Sequence, residues 1–193
     1  YTTSGEARLQ ATKAGNTDFG GKSFTFNLYD ADGKKTDTQV VAKGGTAIFK
    51  TFTYDTAGNY TYTIREQIPE EATEENGYTY KGITYDPRSH TVVVSLEDDK
   101  EGGFNQTIKY DGKDVDELTI TNTYTVSGEA RLQATKAGNT DFGGKSFTFN
   151  LYDADGKKTD TQVVAKDGTA IFKTFTYDTA GNYTYTIREQ IPE

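Results

Sequence analysis

The sequence predicts an all-β protein, an immunoglobulin-like antiparallel β-sandwich, and three observations support this prediction. Short segments alternate apolar and polar side chains with the two-residue period of a half-buried strand. Clusters rich in Gly, Asp and Asn, such as DADGK, DTAGN, EDDKEGG and DGKD, separate these segments and are typical of turns. No segment places its apolar residues at a sustained helical spacing. Short strands joined by turns at such intervals are typical of a sandwich of immunoglobulin-like size.

The predicted strands each rest on their own alternation and on their content of Thr, Tyr, Val and Phe, which fit a pleated surface. In chain order they are EARLQATK (6–13), SFTFNLY (23–29), TAIFKTFTY (46–54), YTYTIRE (60–66), YTYKGITY (78–85), HTVVVSLE (90–97), FNQTIKY (104–110) and LTITNTY (118–124). After the second strand, DADGK predicts a hairpin turn, because Asp30 and Asp32 lack the spacing and the distal Glu of a calcium loop. IPEEATEENG (68–77) has room for one helical turn.

The chain also repeats itself, since its first 70 residues recur after a shift of 123 positions as residues 124–193. The two copies differ at two positions, where Thr3 and Gly44 of the first copy correspond to Val126 and Asp167 of the second. A domain-sized period predicts tandem domains rather than the stacked units of a solenoid. We therefore expect a complete repeat at 1–123, followed at 124–193 by the first part of a second, nearly identical repeat that lacks its C-terminal strands.

The composition excludes several classes of function. Lys and Arg number 21 against 29 Asp and Glu, and this net charge of -8 argues against nucleic acid, which binds through basic side chains. The absence of Cys excludes a disulfide framework and zinc-cysteine sites. No apolar run is long enough to insert into a membrane, and no basic and apolar leader is present. The absence of Met favours a mature product or an excised fragment, and we predict no cofactor and no metal.

Three polar residues lie on strand faces that are otherwise apolar. Glu66 shares a face with two tyrosines and an isoleucine of YTYTIRE. Lys13 follows two alanines and a leucine on one face of EARLQATK, and Asn122 lies on the face of Leu118 and Ile120 in LTITNTY. A buried ammonium, carboxylate or amide is costly unless it is paired, so we expect the three side chains to meet.

The alternation pattern leaves three explanations open. The side chains could lie at strand ends and extend to water. They could instead form a buried Lys-Glu ion pair with Asn as a hydrogen-bond partner. In the third explanation, a desolvated lysine amine attacks the asparagine amide while the carboxylic acid moves protons, which expels ammonia and leaves an isopeptide bond. Lys22 and Lys50 also lie at even spacing from apolar residues of their strands, so alternation alone does not identify Lys13 as the buried lysine.

A resemblance favours the third explanation. GEARLQATK, the YDADGK hairpin, AGNYTYTIRE, GITYD (82–86) and TITNTY occur here in the order found in a known domain family, over the whole of residues 1–124. The unit resembles the isopeptide-linkage domain of Gram-positive pilin subunits and surface adhesins, which is related to the CnaB-type domains. The resemblance implies that Lys13 is the isopeptide nucleophile, Asn122 the acceptor and Glu66 the proton shuttle. It also implies that the first and last strands are neighbours and that the bond forms without a helper enzyme.

The function implied by this resemblance is a structural stalk or shaft module of a cell-wall-anchored pilin or repetitive adhesin on the bacterial surface, with neighbouring repeats of the same protein as partners. The alternative is an adhesin module that recognises a host protein or glycan through loops such as EEATEEN. An enzyme acting on an external substrate is disfavoured, since the single histidine, His90, has no thiol partner and is predicted to be structural or exposed. Tyr60, Tyr62 and Tyr124 are predicted to form a dry pocket that favours a neutral lysine and a protonated Glu66.

The second copy contains Lys136 and Glu189 as counterparts of Lys13 and Glu66 but no counterpart of Asn122. Asn122 could pair with Lys136, yet parallel neighbouring strands need a crossover of about a dozen residues or more, so Lys13 is the preferred partner. The second copy is expected to take its missing strands from another chain or from a segment absent from this sequence, because an unpaired half-sandwich exposes strand edges and core.

Overall fold

The computed structural model describes residues 4–192, which form two compact units, one ending at Tyr124 and one beginning at Thr125. Both units consist of β-strands with short 3-10 turns, so the all-β prediction is confirmed. None of the helices described between residues 4 and 192 has the length and apolarity needed to cross a membrane.

The first unit contains ten strands in two five-stranded sheets. The strands are β1 (Gly5–Gly15), β2 (Ser23–Tyr29), β3 (Lys35–Ala42), β4 (Thr46–Tyr54), β5 (Gly58–Glu66), β6 (Thr79–Tyr80), β7 (Ile83–Thr84), β8 (His90–Asp98), β9 (Phe104–Tyr110) and β10 (Leu118–Tyr124). One sheet has the order β4-β1-β10-β7-β6 and the other β3-β2-β5-β8-β9. Leu9 and Ile120 from the first sheet and Phe26, Ile64 and Val92 from the second are fully buried in one core. The core therefore lies between the two sheets, as in a β-sandwich.

One ladder departs from the antiparallel pattern. β1 and β10 run parallel, with Lys13 opposite Ile120 and Gly15 opposite Asn122, whereas the other ladders described in this unit are antiparallel. Parallel neighbours need a long connection, and here the whole intervening chain supplies it. The first and last strands are thus neighbours in the centre of one sheet.

Two strand predictions need correction. β3 was not predicted, because its sequence KTDTQVVA is polar; it pairs only with β2 at the edge of its sheet and buries little of its surface. The segment predicted as one strand at 78–85 is two short strands, since the chain turns at Lys81 and Gly82, both with positive φ. The 68–77 stretch does hold one short 3-10 turn, at Glu74–Asn76. The DADGK hairpin is confirmed, with Oδ1 of Asp30 accepting hydrogen bonds from the backbone N–H groups of Asp32 and Lys34.

A β-bulge explains why Lys50 does not face the core. Between Arg8 and Gln10 on β1 the paired positions on β4 are Thr51 and Ile48, so β4 carries one extra residue at this point. The extra residue reverses the alternation along β4, and Lys50 is exposed. Lys22 is exposed as well, which leaves Lys13 as the lysine of this group that points inward.

The second unit repeats the first part of this arrangement. Its strands are β11 (Gly128–Thr135), β12 (Ser146–Tyr152), β13 (Lys158–Ala165), β14 (Thr169–Tyr177) and β15 (Thr186–Glu189). β11 pairs with β14, while β12 lies between β13 and β15. Its core is small, with Phe149, Leu151, Ala170 and Phe172 as the buried apolar residues.

Candidate functional site

Lys13 lies near the end of β1 with its side chain in the core of the first unit. Its backbone is held by the turn before β4, because its N–H donates to the carbonyl of Gly45 and its carbonyl accepts from the N–H of Gly44. The neighbouring core positions on β1 are filled by Ala7, Leu9 and Ala11, so the lysine continues an apolar face into the interior. It is completely buried, which excludes the explanation that this side chain extends to water.

Glu66 ends β5 in the opposite sheet, and its carboxylate is the centre of the site. Its Oε1 accepts two hydrogen bonds, from Nζ of Lys13 at 2.7 Å and from Nδ2 of Asn122 at 2.8 Å. Its Oε2 accepts a third, from the backbone N–H of Asp86 at 3.1 Å. The side chains of Lys13 and Glu66 have no exposed surface. The three predicted residues therefore meet in a dry site, as the alternation pattern predicted.

Asn122 presents its amide to this site from β10. The side chain is fully buried, and its Oδ1 has no hydrogen-bond partner within the described residues. The neighbouring end of β10 is fixed by Asn16, whose amide donates to the carbonyl of Tyr124 and accepts from its N–H. A buried carbonyl oxygen without a donor is costly, and it marks the amide of Asn122 as an exception in this core.

Burial lowers the pKa of Lys13, although the hydrogen bond and charge of Glu66 and the charge of Asp86 oppose this effect. The ring centroid of Phe24 lies 4.4 Å from Nζ and that of Phe26 lies 5.7 Å away. A lowered pKa increases the fraction of lysine present as the neutral, nucleophilic amine. The site therefore combines an amine, an amide and a carboxyl group that accepts hydrogen bonds from the nitrogens of both.

The predicted aromatic pocket was wrong in its members. Phe24 and Phe26 of β2 cover the amine, while Tyr124 is 37% exposed. Tyr62 is buried but directs its hydroxyl to that of Tyr54, 2.9 Å away. The phenylalanines lie on a neighbouring strand, and sequence alternation gives the face of a strand without giving its neighbours.

A comparison with known families places the chain. The FctA model, described as the Spy0128-like isopeptide containing domain, matches residues 9–125 and again residues 132–191. The chain belongs to this family. The resemblance inferred from GEARLQATK and the other stretches is thereby confirmed, and both units carry the isopeptide-domain match. No curated protein sequence matches the chain.

Solved structures similar to this isopeptide-domain chain include major pilins of Streptococcus pyogenes. The T-13 major pilin is 19% identical, with a TM-score of 0.44 and an alignment covering 100% of this chain and 85% of the pilin. The T3.2 major pilin is also 19% identical, with a TM-score of 0.40 and coverage of 96% and 82%. The TIE protein of Bacillus anthracis is 18% identical, with a TM-score of 0.31 and coverage of 97% and 29%.

The second isopeptide-domain unit contains the lysine and the glutamate in a different arrangement. Nζ of Lys136 donates to both carboxylate oxygens of Glu189, at 2.9 and 2.8 Å. The two side chains are 15% and 35% exposed, respectively. Within residues 125–192, no strands equivalent to β6–β10 cover this pair.

A second buried polar cluster adjoins the site, and the sequence predicted only part of it. His90 is buried, with Nδ1 2.7 Å from Oδ2 of Asp111 and Nε2 3.0 Å from Oδ2 of Asp86. Arg88 donates to both oxygens of Asp86 through its guanidinium. The alternative that His90 is exposed was wrong, and its structural role stays a prediction. Its position on the apolar face of β8 was the signal of burial. Nothing in the sequence indicated the two carboxylates that flank it.

This cluster has defined electrostatics. The hydrogen bond that the His90 ring donates to Asp86 is the main cause that raises the pKa of His90, and Asp111 adds to it, against the opposing effect of burial. Burial alone would raise the pKa of Asp86, but the hydrogen bonds from His90 and Arg88 outweigh it and lower that pKa. At neutral pH, Asp86 is therefore an ionised, buried carboxylate held by two basic side chains.

Proposed function

We propose that the first unit forms an isopeptide bond between Nζ of Lys13 and Cγ of Asn122, with Glu66 as the proton shuttle. The neutral amine of Lys13 attacks Cγ, and Glu66 accepts a proton from the attacking nitrogen. The carboxylic acid then donates a proton to Nδ2 of Asn122, which leaves as ammonia. One N–C bond forms, one C–N bond breaks, and Glu66 returns to its starting state.

The observation that carries this proposal is the sharing of one carboxylate oxygen. Oε1 of Glu66 contacts both the nitrogen that must lose a proton and the nitrogen that must gain one. A proton taken from Lys13 can pass to Asn122 without movement of the carboxyl group. Complete burial of the amine and the amide keeps water away from both.

Such a bond gives the unit a structural role. It would join the first and last strands, which lie side by side in parallel, and so carry tension applied to the two ends of the unit. It would also close a loop of about 110 residues in the unfolded chain, which by analogy with a disulfide stabilises the fold by about 5 kcal/mol. Unlike a disulfide, it would resist reduction.

The proposed setting is a stalk or shaft module of a pilin or repetitive adhesin, anchored to the cell wall and exposed at the bacterial surface. Membership of an isopeptide-domain family and the similarity to streptococcal major pilins support this setting. The repeat of 70 residues supports an array in which neighbouring repeats of the same protein are the partners. The proposed bond forms within one chain, and we propose no enzymatic action on other molecules.

Intact-protein mass spectrometry tests the proposal. The purified chain should weigh less than its sequence by one ammonia, and a protease digest should contain a branched peptide joining Lys13 to Asn122. The deficit should disappear in Lys13→Ala, Glu66→Ala and Asn122→Ala.

The second copy supplies matched controls. Lys136→Ala and Glu189→Ala should leave the deficit unchanged, because neither residue takes part in the proposed bond. Loss of the deficit in Lys136→Ala would show instead that Asn122 reacts with Lys136. A wild-type mass equal to the sequence mass would leave Lys13 and Glu66 as a simple buried ion pair and would end the proposal.

A further inference from the structure

The two glutamates of the chain hold their lysines differently. Glu66 gives only Oε1 to Lys13, because Oε2 accepts the backbone N–H of Asp86. Glu189 has no equivalent of Asp86 or of Asn122 within residues 125–192, and it gives both oxygens to Lys136. A carboxylate that accepts hydrogen bonds from the lysine on both oxygens has neither oxygen placed mainly for a second donor, such as the amide nitrogen of an asparagine. The N–H of Asp86 therefore leaves Oε1 of Glu66 to bridge Lys13 and Asn122.

The position of this N–H depends on the side chain of the same residue. Asp86 follows β7 in an irregular segment outside the ladders, so no strand pairing fixes its backbone. Its carboxylate accepts from the backbone N–H and the guanidinium of Arg88 and lies in hydrogen-bond contact with His90. The side chain of Arg88 is 68% exposed, whereas that of His90 is 3% exposed. The contact to His90 is thus the buried one of the two.

His90 is itself held on its other side. Its Nδ1 contacts Asp111, whose other carboxylate oxygen accepts the backbone N–H of Thr91. A chain of polar contacts therefore runs from Asp111 through His90 and Asp86 to Glu66. Each step is 3.1 Å or shorter.

We infer that His90 is a positioning residue for isopeptide formation: it holds Asp86 so that the backbone N–H of Asp86 occupies Oε2 of Glu66 and leaves Oε1 to bridge the amine and the amide. This inference rests on the proposed function of Lys13, Glu66 and Asn122. His90 touches none of the reacting atoms and acts through Asp86. Without it, Glu66 is expected to turn toward the lysine as Glu189 does.

Protonation of His90 controls the strength of this arrangement. The imidazolium has two N–H groups and donates to Asp86 and Asp111 together, whereas the neutral ring has one N–H and donates to one of them. The charged groups facing the ring are Asp86 and Arg88 from the segment before β8 and Asp111 from the turn after β9. Lys113 and Glu117 line a surface pocket that also contains His90, Arg88 and Asp111. When His90 is protonated, the positive charges of His90 and Arg88 balance the negative charges of the two aspartates they contact.

The test follows bond formation in the full chain after a short pulse of cell-free synthesis. Synthesis is stopped, samples are transferred to buffers of different pH, and acid-quenched aliquots are weighed to follow the loss of ammonia. His90→Ala should slow bond formation by about 10-fold to 100-fold, the range caused by a small misplacement of reacting groups. His90→Gln should recover part of the rate, since its amide can donate to one of the two aspartates.

The pH dependence separates positioning from a merely structural role. The ratio of the wild-type rate to the His90→Gln rate should fall as pH rises through the pKa of His90. Lys13 is unchanged in His90→Gln, so its own titration affects both proteins alike and cancels in this ratio. A ratio that does not change with pH would overturn the inference.

Val94→Ala provides the matched destabilised control. Val94 is fully buried on the same face of β8, belongs to the apolar core and is paired with Tyr60 and Ile108 on the neighbouring strands. This variant should lose stability and keep a rate near that of the wild type. Equal slowing in Val94→Ala and His90→Ala would overturn the inference, and so would a wild-type rate in His90→Ala. These results differ from the absence of any ammonia loss in the wild type, which would refute the proposed function itself.

Discussion

Asn122→Ala removes the proposed acceptor and keeps Lys13 and Glu66, so its effect on stability combines loss of the bond with truncation of one buried asparagine. Lys13 and Asn122 would close a loop of about 110 residues, which restricts the unfolded chain by about 5 kcal/mol at 25 °C. A unit of about 120 residues unfolds with an entropy near 0.25 kcal/mol/K. The unfolding temperature of the first unit should therefore fall by roughly 15–20 °C.

Differential scanning calorimetry of the wild type and of Asn122→Ala measures this shift. Asn27→Ala is the matched control, because Asn27 is a buried asparagine of the same unit whose Oδ1 accepts one hydrogen bond, from Thr38. Loss of that hydrogen bond costs about 1 kcal/mol, so the control should lower the unfolding temperature by only a few degrees. Equal shifts in the two variants would refute the loop-closure reasoning, since truncation of an asparagine would then explain both.

Three further predictions follow from the geometry. The folded-state pKa of His90 is raised, so His90 should contribute stability that is fully present below its unfolded pKa near 6.5 and is lost as pH rises through the folded value. The unfolding free energies of the wild type and of His90→Gln, measured at several pH values, should therefore converge at high pH. A difference that stays constant with pH would contradict the contact with two aspartates. Because Lys50 is exposed, Lys50→Ala should change the unfolding free energy by less than about 0.5 kcal/mol and leave the mass deficit of one ammonia in place. Loss of the deficit in this variant would make Lys50 the nucleophile. A separate polypeptide of residues 71–124 carries Asn122 and should become covalently joined to Lys136 in the second unit, whereas Glu189→Ala should prevent this reaction. The two polypeptides are mixed, and denaturing electrophoresis detects the joined product. A product that persists in Glu189→Ala would contradict a role for that carboxylate.

Alternation along the strands was enough to predict which residues point inward at regular positions. Lys13, Glu66 and Asn122 each continue a series of small or apolar residues spaced two positions apart on one strand face, and all three are buried. The same rule failed for Lys50, because a bulge in β4 inserts one residue and reverses the faces beyond it. It also missed β3, since an edge strand with two partly wet faces has no strong alternation to detect.

The sequence by itself determined the β architecture, the repeat after 123 positions and the identity of the three polar side chains that enter an apolar core. These properties are local, because each follows from the order of residues along one strand or from the comparison of two segments. The tertiary structure decided which groups touch: the parallel pairing of β1 with β10, the bridge made by Oε1 of Glu66, and the contact of Asp86 and His90 behind it. Contacts between residues far apart in the chain depend on strand order, and alternation within one strand gives the face of each side chain without giving the strands beside it.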